Sequence, residues 1–295
     1  MRAGLRLIGL ALALLVSGCD DDQKKPDPAP AQRAAGPAPG RPNQVERRNF
    51  VWRLVPPTEA LETVEQALSH RELPSRATLD VASLVAGFVY DVPAPRDAPY
   101  DVHTTLLRSP WNESGWLLHV AVRSADGSKL TNLTSDEGVA IEFDPTEVAR
   151  ARPIGGDRVA MSADGKLAQT LYELTPARPW AQRRDARAQI HLGTVQLHWR
   201  TASANEPSSL ARAIAVTAVD DVEKIDSETR FAIAAAAFGL VLRGDRAVRD
   251  FDYSDVEMLA APPAARDPDG RRARMLAAVR SADHTVSGVP ERSRE

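Results

Sequence analysis

The sequence holds one cysteine, Cys19, so an internal disulfide is excluded and the fold must rest on burial. Aromatic residues make up only 5% of the chain. Trp52, Trp111, Trp116, Trp180 and Trp199 are scattered, which suits core packing better than a stacking platform. Charge of one sign is also scarce. The formal net charge is −3, which excludes the clustered basic excess of a nucleic-acid binder. Beyond the first nineteen residues there is no apolar run of the roughly 20 residues that crossing a bilayer takes.

Catalytic vocabulary is missing as well. His70, His103, His119, His191, His198 and His284 make no His-x-x-x-His or His-Glu-x-x-His pair. His191 and His198 are seven apart on an expected strand, and that odd spacing predicts opposite faces. His119 lies among apolar strand residues and is expected in the core. No Gly-x-Ser-x-Gly elbow occurs, and Pro153-Ile154-Gly155-Gly156-Asp157 lacks the lysine and helix of a phosphate loop. Asp220-Asp221 and the Asp250/Asp252 pair read as solvated loop charges. The expectation is a non-enzyme with no catalytic residue, no metal site and no cofactor.

What is present begins at the N-terminus. Arg2 and Arg6, an apolar run over Leu5–Val16, and Val16-Ser17-Gly18 before Cys19 have the form of a secretory signal. The cysteine directly after the small residues resembles the bacterial lipobox, so 1–18 is expected to be cleaved and Cys19 to carry lipid. Losing Arg2 and Arg6 takes the formal charge from −3 to −5. Asp20 is a candidate sorting residue, favouring the inner membrane over the outer; a plain soluble start to the following segment is the other reading. Residues 19–45 are rich in proline and alanine, including Pro26, Pro28, Pro30, Pro37, Pro39 and Pro42. Such a segment buries too little to fold and is expected as a tether. Extended, it reaches on the order of 80 Å; a flexible coil averages nearer 30 Å.

About 250 residues then remain, enough for one large domain or two small ones. The pattern predicts a single α+β domain over 46–284, with a frayed tail at 285–295. Thr58 is expected to cap a helix over Glu59–Leu68, and a second helix follows over Thr78–Tyr90. From Tyr100 the apolar period becomes two. Strands are expected through Val102–Leu106, Trp116–Val122, Val139–Phe143 and Gln169–Leu174, with Ile190–Trp199 closing the strand-rich part. Asp126-Gly127 and Asp164-Gly165 read as two independent hairpin turns. Phe231–Leu242 is almost wholly apolar, a buried helix ended by Gly244, and Asp267-Pro268 should open a last helix to about Ala282. The expected architecture is a central antiparallel sheet, β-sandwich-like, with an N-terminal helical pair and a C-terminal helical segment. One basic cluster stands out: Arg178, Arg183, Arg184 and Arg187 around Trp180. It reads as a solvated loop or as a contact for phospholipid or an acidic partner.

Three stretches carry a family resemblance. Leu61–Val122 contains Glu72-Leu73-Pro74, Ser109-Pro110-Trp111-Asn112 and Leu117-Leu118-His119-Val120. Ile141–Val148 contains Phe143-Asp144-Pro145 and is followed by Leu171-Tyr172-Glu173-Leu174. Arg230-Phe231-Ala232, Ala237-Phe238-Gly239, Leu242-Arg243-Gly244 and Tyr253-Ser254-Asp255-Val256 form the third. In this order they resemble the bacterial von Willebrand factor type A lipoproteins of the YfbK kind, but only in the regions flanking the von Willebrand A domain. That domain is absent: only residues 123–138 join the flanks 46–122 and 139–284, and a plain hairpin is expected there. No Asp-x-Ser-x-Ser occurs, so the hydroxyls and carboxylate of a metal-dependent adhesion site are missing. The family's Gly-Tyr-Glu loop is replaced by Gly155-Gly156-Asp157-Arg158. The resemblance implies an envelope lipoprotein anchored through Cys19 and facing the periplasm. It would act as a non-catalytic scaffold or protein-interaction module; the alternative is a ligand-binding accessory subunit of a transporter or sensor.

Overall fold

The structure, a computed structural model, describes residues 49–133, 138–180, 188–201 and 204–288. These lie in one unit spanning Val45–Glu295. The expected signal and tether, with Cys19 and Asp20, lie outside the described residues. Chain order runs β1 (Asn49–Val51), β2 (Arg53–Val55), α1 (Ala60–Ser69), α2 (Val81–Ala86), β3 (Tyr100–Arg108) and β4 (Trp116–Ser124). Next come β5 (Val139–Phe143), β6 (Val148–Pro153), β7 (Arg158–Ala160), β8 (Leu167–Pro176), β9 (Ile190–Thr201), β10 (Ala204–Val216) and β11 (Ala218–Val219). Three helices finish it: α3 (Ser227–Arg243), α4 (Tyr253–Ala264) and α5 (Arg271–Ser287). The fold is α+β, and its sheets are mostly antiparallel.

Strand β4 explains the layering. It is buried at almost every position, which a sheet wet on one side does not require. Trp116, Leu118, Val120 and Val122 belong to one core and Leu117 to another, so both faces are covered. The first core lies between the five-stranded sheet β11-β3-β4-β8-β6 and the four-stranded sheet β1-β5-β9-β10. The second lies between the five-stranded sheet and the five helices. The result is three layers: helices, sheet, sheet. Helix α3 is the centre of the helical layer, with Phe231 through Leu240 buried without a break. Each large apolar side chain removed from water there contributes about 1.5–3 kcal/mol. Asp226 caps its start by accepting from the Thr229 N–H at 2.8 Å, and Gly244 ends it at φ 63°.

Several sequence expectations shift. Thr58 caps nothing; its N–H donates to the Ser83 hydroxyl, and α1 starts without a side-chain cap. The second helix is only α2, because Asp80 accepts from the Ser83 N–H and sets its start there. Strands β4 and β5 are not a hairpin. β4 pairs with β3 and β8, whereas β5 pairs with β1 and β9 in the other sheet. The Asp126-Gly127 turn therefore begins a crossing between sheets. It also leans on its near-twin: the Leu130 N–H donates to Gly165 O at 2.9 Å, and Lys166 Nζ meets Asp126 at 3.0 Å.

The strand-rich part does not close at Trp199, because β10 pairs along β9 in spite of Pro207 and four alanines. Helix α4 is an additional element, opened by a capping box between Asp252 and Asp255. Helix α5 starts at Arg271 rather than at Pro268 and runs past Ala282 to Ser287, so 285–287 of the expected tail are helical; residues 289–295 lie outside the described residues. Asp267 still serves its N-terminus, accepting from the N–H groups of Arg272 and Ala273.

His191 and His198 share the outer face of β9. Ile190 and Leu192 point inward, then Val195, Leu197 and Trp199, so the alternation slips by one between them. A bulge at Gly193 causes the slip. Gly193 has φ 146°, and a Cβ there would stand 2.0 Å from the Glu142 carbonyl oxygen. Only glycine fits.

Candidate functional site

The layers meet along a seam of polar side chains on the helix-facing side of the five-stranded sheet. His119 of β4 is buried, and its Nε2–H donates to Gln169 Oε1 on β8 at 2.9 Å. The Thr229 hydroxyl on α3 donates to its Nδ1 at 3.2 Å. Burial pushes the His119 pKa down, and the bond to Gln169 offsets part of that. Farther along, Arg152 Nε donates to Glu173 at 2.7 Å and its Nη1 to Asp245 at 3.2 Å. Trp111 Nε1 donates to the other oxygen of Glu173 at 2.9 Å. Both clusters bind sheet to helices. Asp220 meets Arg108, Asp221 caps a short 3₁₀ turn, and Asp252 caps α4.

The sequence-selected basic cluster divides. Arg178 is exposed and pairs with Glu147 at 2.5 Å. Trp180 is buried: its ring packs 5.7 Å from Trp116 and its Nε1 donates to Glu147 Oε2 at 3.2 Å. The indole is thus committed to the core rather than presented at the surface. Arg183, Arg184 and Arg187 lie outside the described residues.

A surface that sequence reading did not single out is the groove between α1 and α5, about 840 Å³ in volume. The two helices are clasped by ion pairs. Arg271 meets Glu62 at 2.7 Å, and Arg274 meets both Glu62 and Glu65. The pairs advance together along the chain, so the helices run in the same direction. Helix α1 stops first and leaves α5 uncovered beyond it. Leu68, Ala277 and Ala278 line the groove with apolar atoms; Ser69, Ser281 and Thr285 add hydroxyls; Glu65, Arg71, Arg274 and His284 complete its lining. The signal in the sequence is the line of small residues Ala277, Ser281 and Thr285, one helical turn apart, which keeps that face of α5 low.

Arg71 is the local anomaly. It ends α1 at φ 60° and is the one non-glycine residue with positive φ among the described residues. The Arg71 N–H donates to Leu68 O and the Glu72 N–H to Ala67 O, the bond pattern that usually has glycine in this place. Its guanidinium has no hydrogen-bond or ion-pair partner among the described residues, while Arg274 beside it is fully engaged.

A second depression, about 380 Å³, lies on the outer sheet near Glu142, Asp144, His191 and Thr194. Asp144 is already used there, accepting from the Thr146 N–H and hydroxyl. No group of three or more metal-binding side chains occurs among the described residues. No helix among them is long and apolar enough to cross a membrane.

Comparison with curated proteins and with solved structures returns no match. Residues 159–285, from β7 into the last turns of α5, match the family model described as Uncharacterized protein YfbK, C-terminal, and on that stretch the chain is similar to the YfbK family.

Proposed function

We propose that this protein is an envelope lipoprotein related to the YfbK kind, acting as a non-catalytic protein-interaction module with the α1/α5 groove as its docking face. The groove carries the reading. Sites for small molecules are concave and bury most of the ligand. The α1/α5 groove follows α5 from Arg274 to Gly288 and sets Leu68, Ala277 and Ala278 beside Glu65, Arg71 and Arg274, a form that accepts a segment of another chain. Attachment through Cys19 would hold the domain on a tether at the periplasmic face of a membrane, with Asp20 favouring the inner one. The von Willebrand A domain has no place in the short segment between Val122 and Val139, so metal-dependent capture is no part of the proposal.

The test is in-cell crosslinking of the full-length protein against a Cys19→Ser variant, with mass spectrometry of what each captures. A defined partner captured by the wild type and lost in the variant is the expected result. Nothing reproducible from either form would overturn the reading.

A further inference from the structure

The geometry points to an acidic amphipathic helix of a partner protein as the occupant of the α1/α5 groove, with Arg71 as the residue that takes its carboxylate; this rests on the interaction-module reading above. The shape selects a helix. From Arg274 to Gly288 the groove follows about 21 Å of α5 at 1.5 Å per residue, close to four turns. Ala277, Ser281 and Thr285 keep that wall low, so a third helix can approach closely.

The charge selects an acidic one. Glu65 is the one carboxylate lining the groove and is already neutralised by Arg274. Arg71 has no partner among the described residues. The end of α1 does not cancel this, because its last carbonyls are taken by the Arg71 and Glu72 N–H groups. Arg71 adds an independent argument. A left-handed arginine costs about 1–2 kcal/mol that glycine avoids. An arginine held against its backbone preference, with its cationic head free beside a groove, fits binding better than folding.

Two fluorescein-labelled 14-residue helical peptides test this on the purified full-length protein: one built of Glu, Leu and Ala, the other with each Glu replaced by Lys. The Glu peptide should bind at least tenfold tighter by anisotropy, and more weakly as salt is raised. Arg71→Gly should lose about tenfold of that affinity while raising the melting temperature by a few degrees. A merely structural arginine would not do both. Equal binding of the two peptides, unchanged affinity in Arg71→Gly, or a lowered melting temperature in that variant would each overturn the assignment. A partner crosslinked in cells equally by wild type and Arg71→Gly would overturn the groove as the docking face, and of the reading above only an interaction module that docks elsewhere would stand.

Discussion

Arg272 of α5 is buried to 1% exposure and meets Glu228 of α3 at 2.5 Å. The guanidinium also donates to Val89 O at 2.8 Å and Pro263 O at 3.1 Å, and it lies 4.5 Å from the centroid of the Phe231 ring. One side chain therefore ties together α5, α3, the end of α4 and the loop after α2. The pair is surrounded by the apolar helical core, so neither charge can turn to water if the other is lost.

Arg272→Ala should accordingly destabilise the domain by about 3–5 kcal/mol, because Glu228 is left charged and buried. Replacing both, Arg272→Met with Glu228→Leu, should cost much less than the single change. Urea unfolding followed by circular dichroism measures the difference. A single variant no worse than the double would show that the pair is not what holds α5 down.

Acidification acts through His119. Its pKa lies below the ordinary 6.5 in the fold because burial disfavours the imidazolium. The unfolded chain takes up the proton first, so His119 contributes fully above about pH 6.5 and loses that contribution as the pH falls toward the folded value. The melting temperature should drop between pH 7.5 and pH 5. His119→Gln, which lacks a titrating group but keeps polar atoms near Gln169 and Thr229, should be less stable at pH 7.5 yet show a flatter profile. Parallel profiles for the two proteins would remove His119 as the cause.

Much of this frame was legible in the sequence. The unbroken apolar run in α3 announces its state locally, since burial alone decides it, and the apolar residues of β3 and β4 mark strands although β4 is buried on both faces. Strand β10 was hidden because its alanines, serines and proline have low strand preference; pairing with β9 overrides that. The bulge at Gly193 was equally hidden, and it reversed the expected placement of His191 and His198. Of the groove, only the line of small residues Ala277, Ser281 and Thr285 could be read. The groove arises where Glu62 meets Arg271, 209 positions away, and no local pattern carries a contact of that separation.

Two glycine substitutions should separate shape from conformation. Gly193→Ala drives a methyl group into the Glu142 carbonyl at the end of the β5–β9 ladder. More than about 3 kcal/mol should be lost, or folding abolished. Gly127→Ala also meets a positive φ, 88°, but nothing lies within 4 Å of the new methyl. Its cost should stay near 1–2 kcal/mol, the left-handed penalty alone. Thermal melts of both variants give the comparison.

The long strand β10 lies at the edge of its sheet, with β9 as its sole paired neighbour among the described residues. Such an edge invites pairing with other chains. Arg212 guards it. The residue is opposite buried Val195, in the inward-facing row with Leu210 and Ile214, and its Nε reaches Asp101 of β3 at 3.4 Å. A charge facing inward at an edge cannot be covered by an incoming strand without losing water. Arg212→Ile should therefore change monomer stability by no more than about 1 kcal/mol, since the ion pair is partly exposed. Association should change far more: light scattering at elevated temperature should detect oligomers of the variant well before the wild type. An Arg212→Ile protein as monodisperse as the wild type would show that the bulge and Pro207 protect this edge without help.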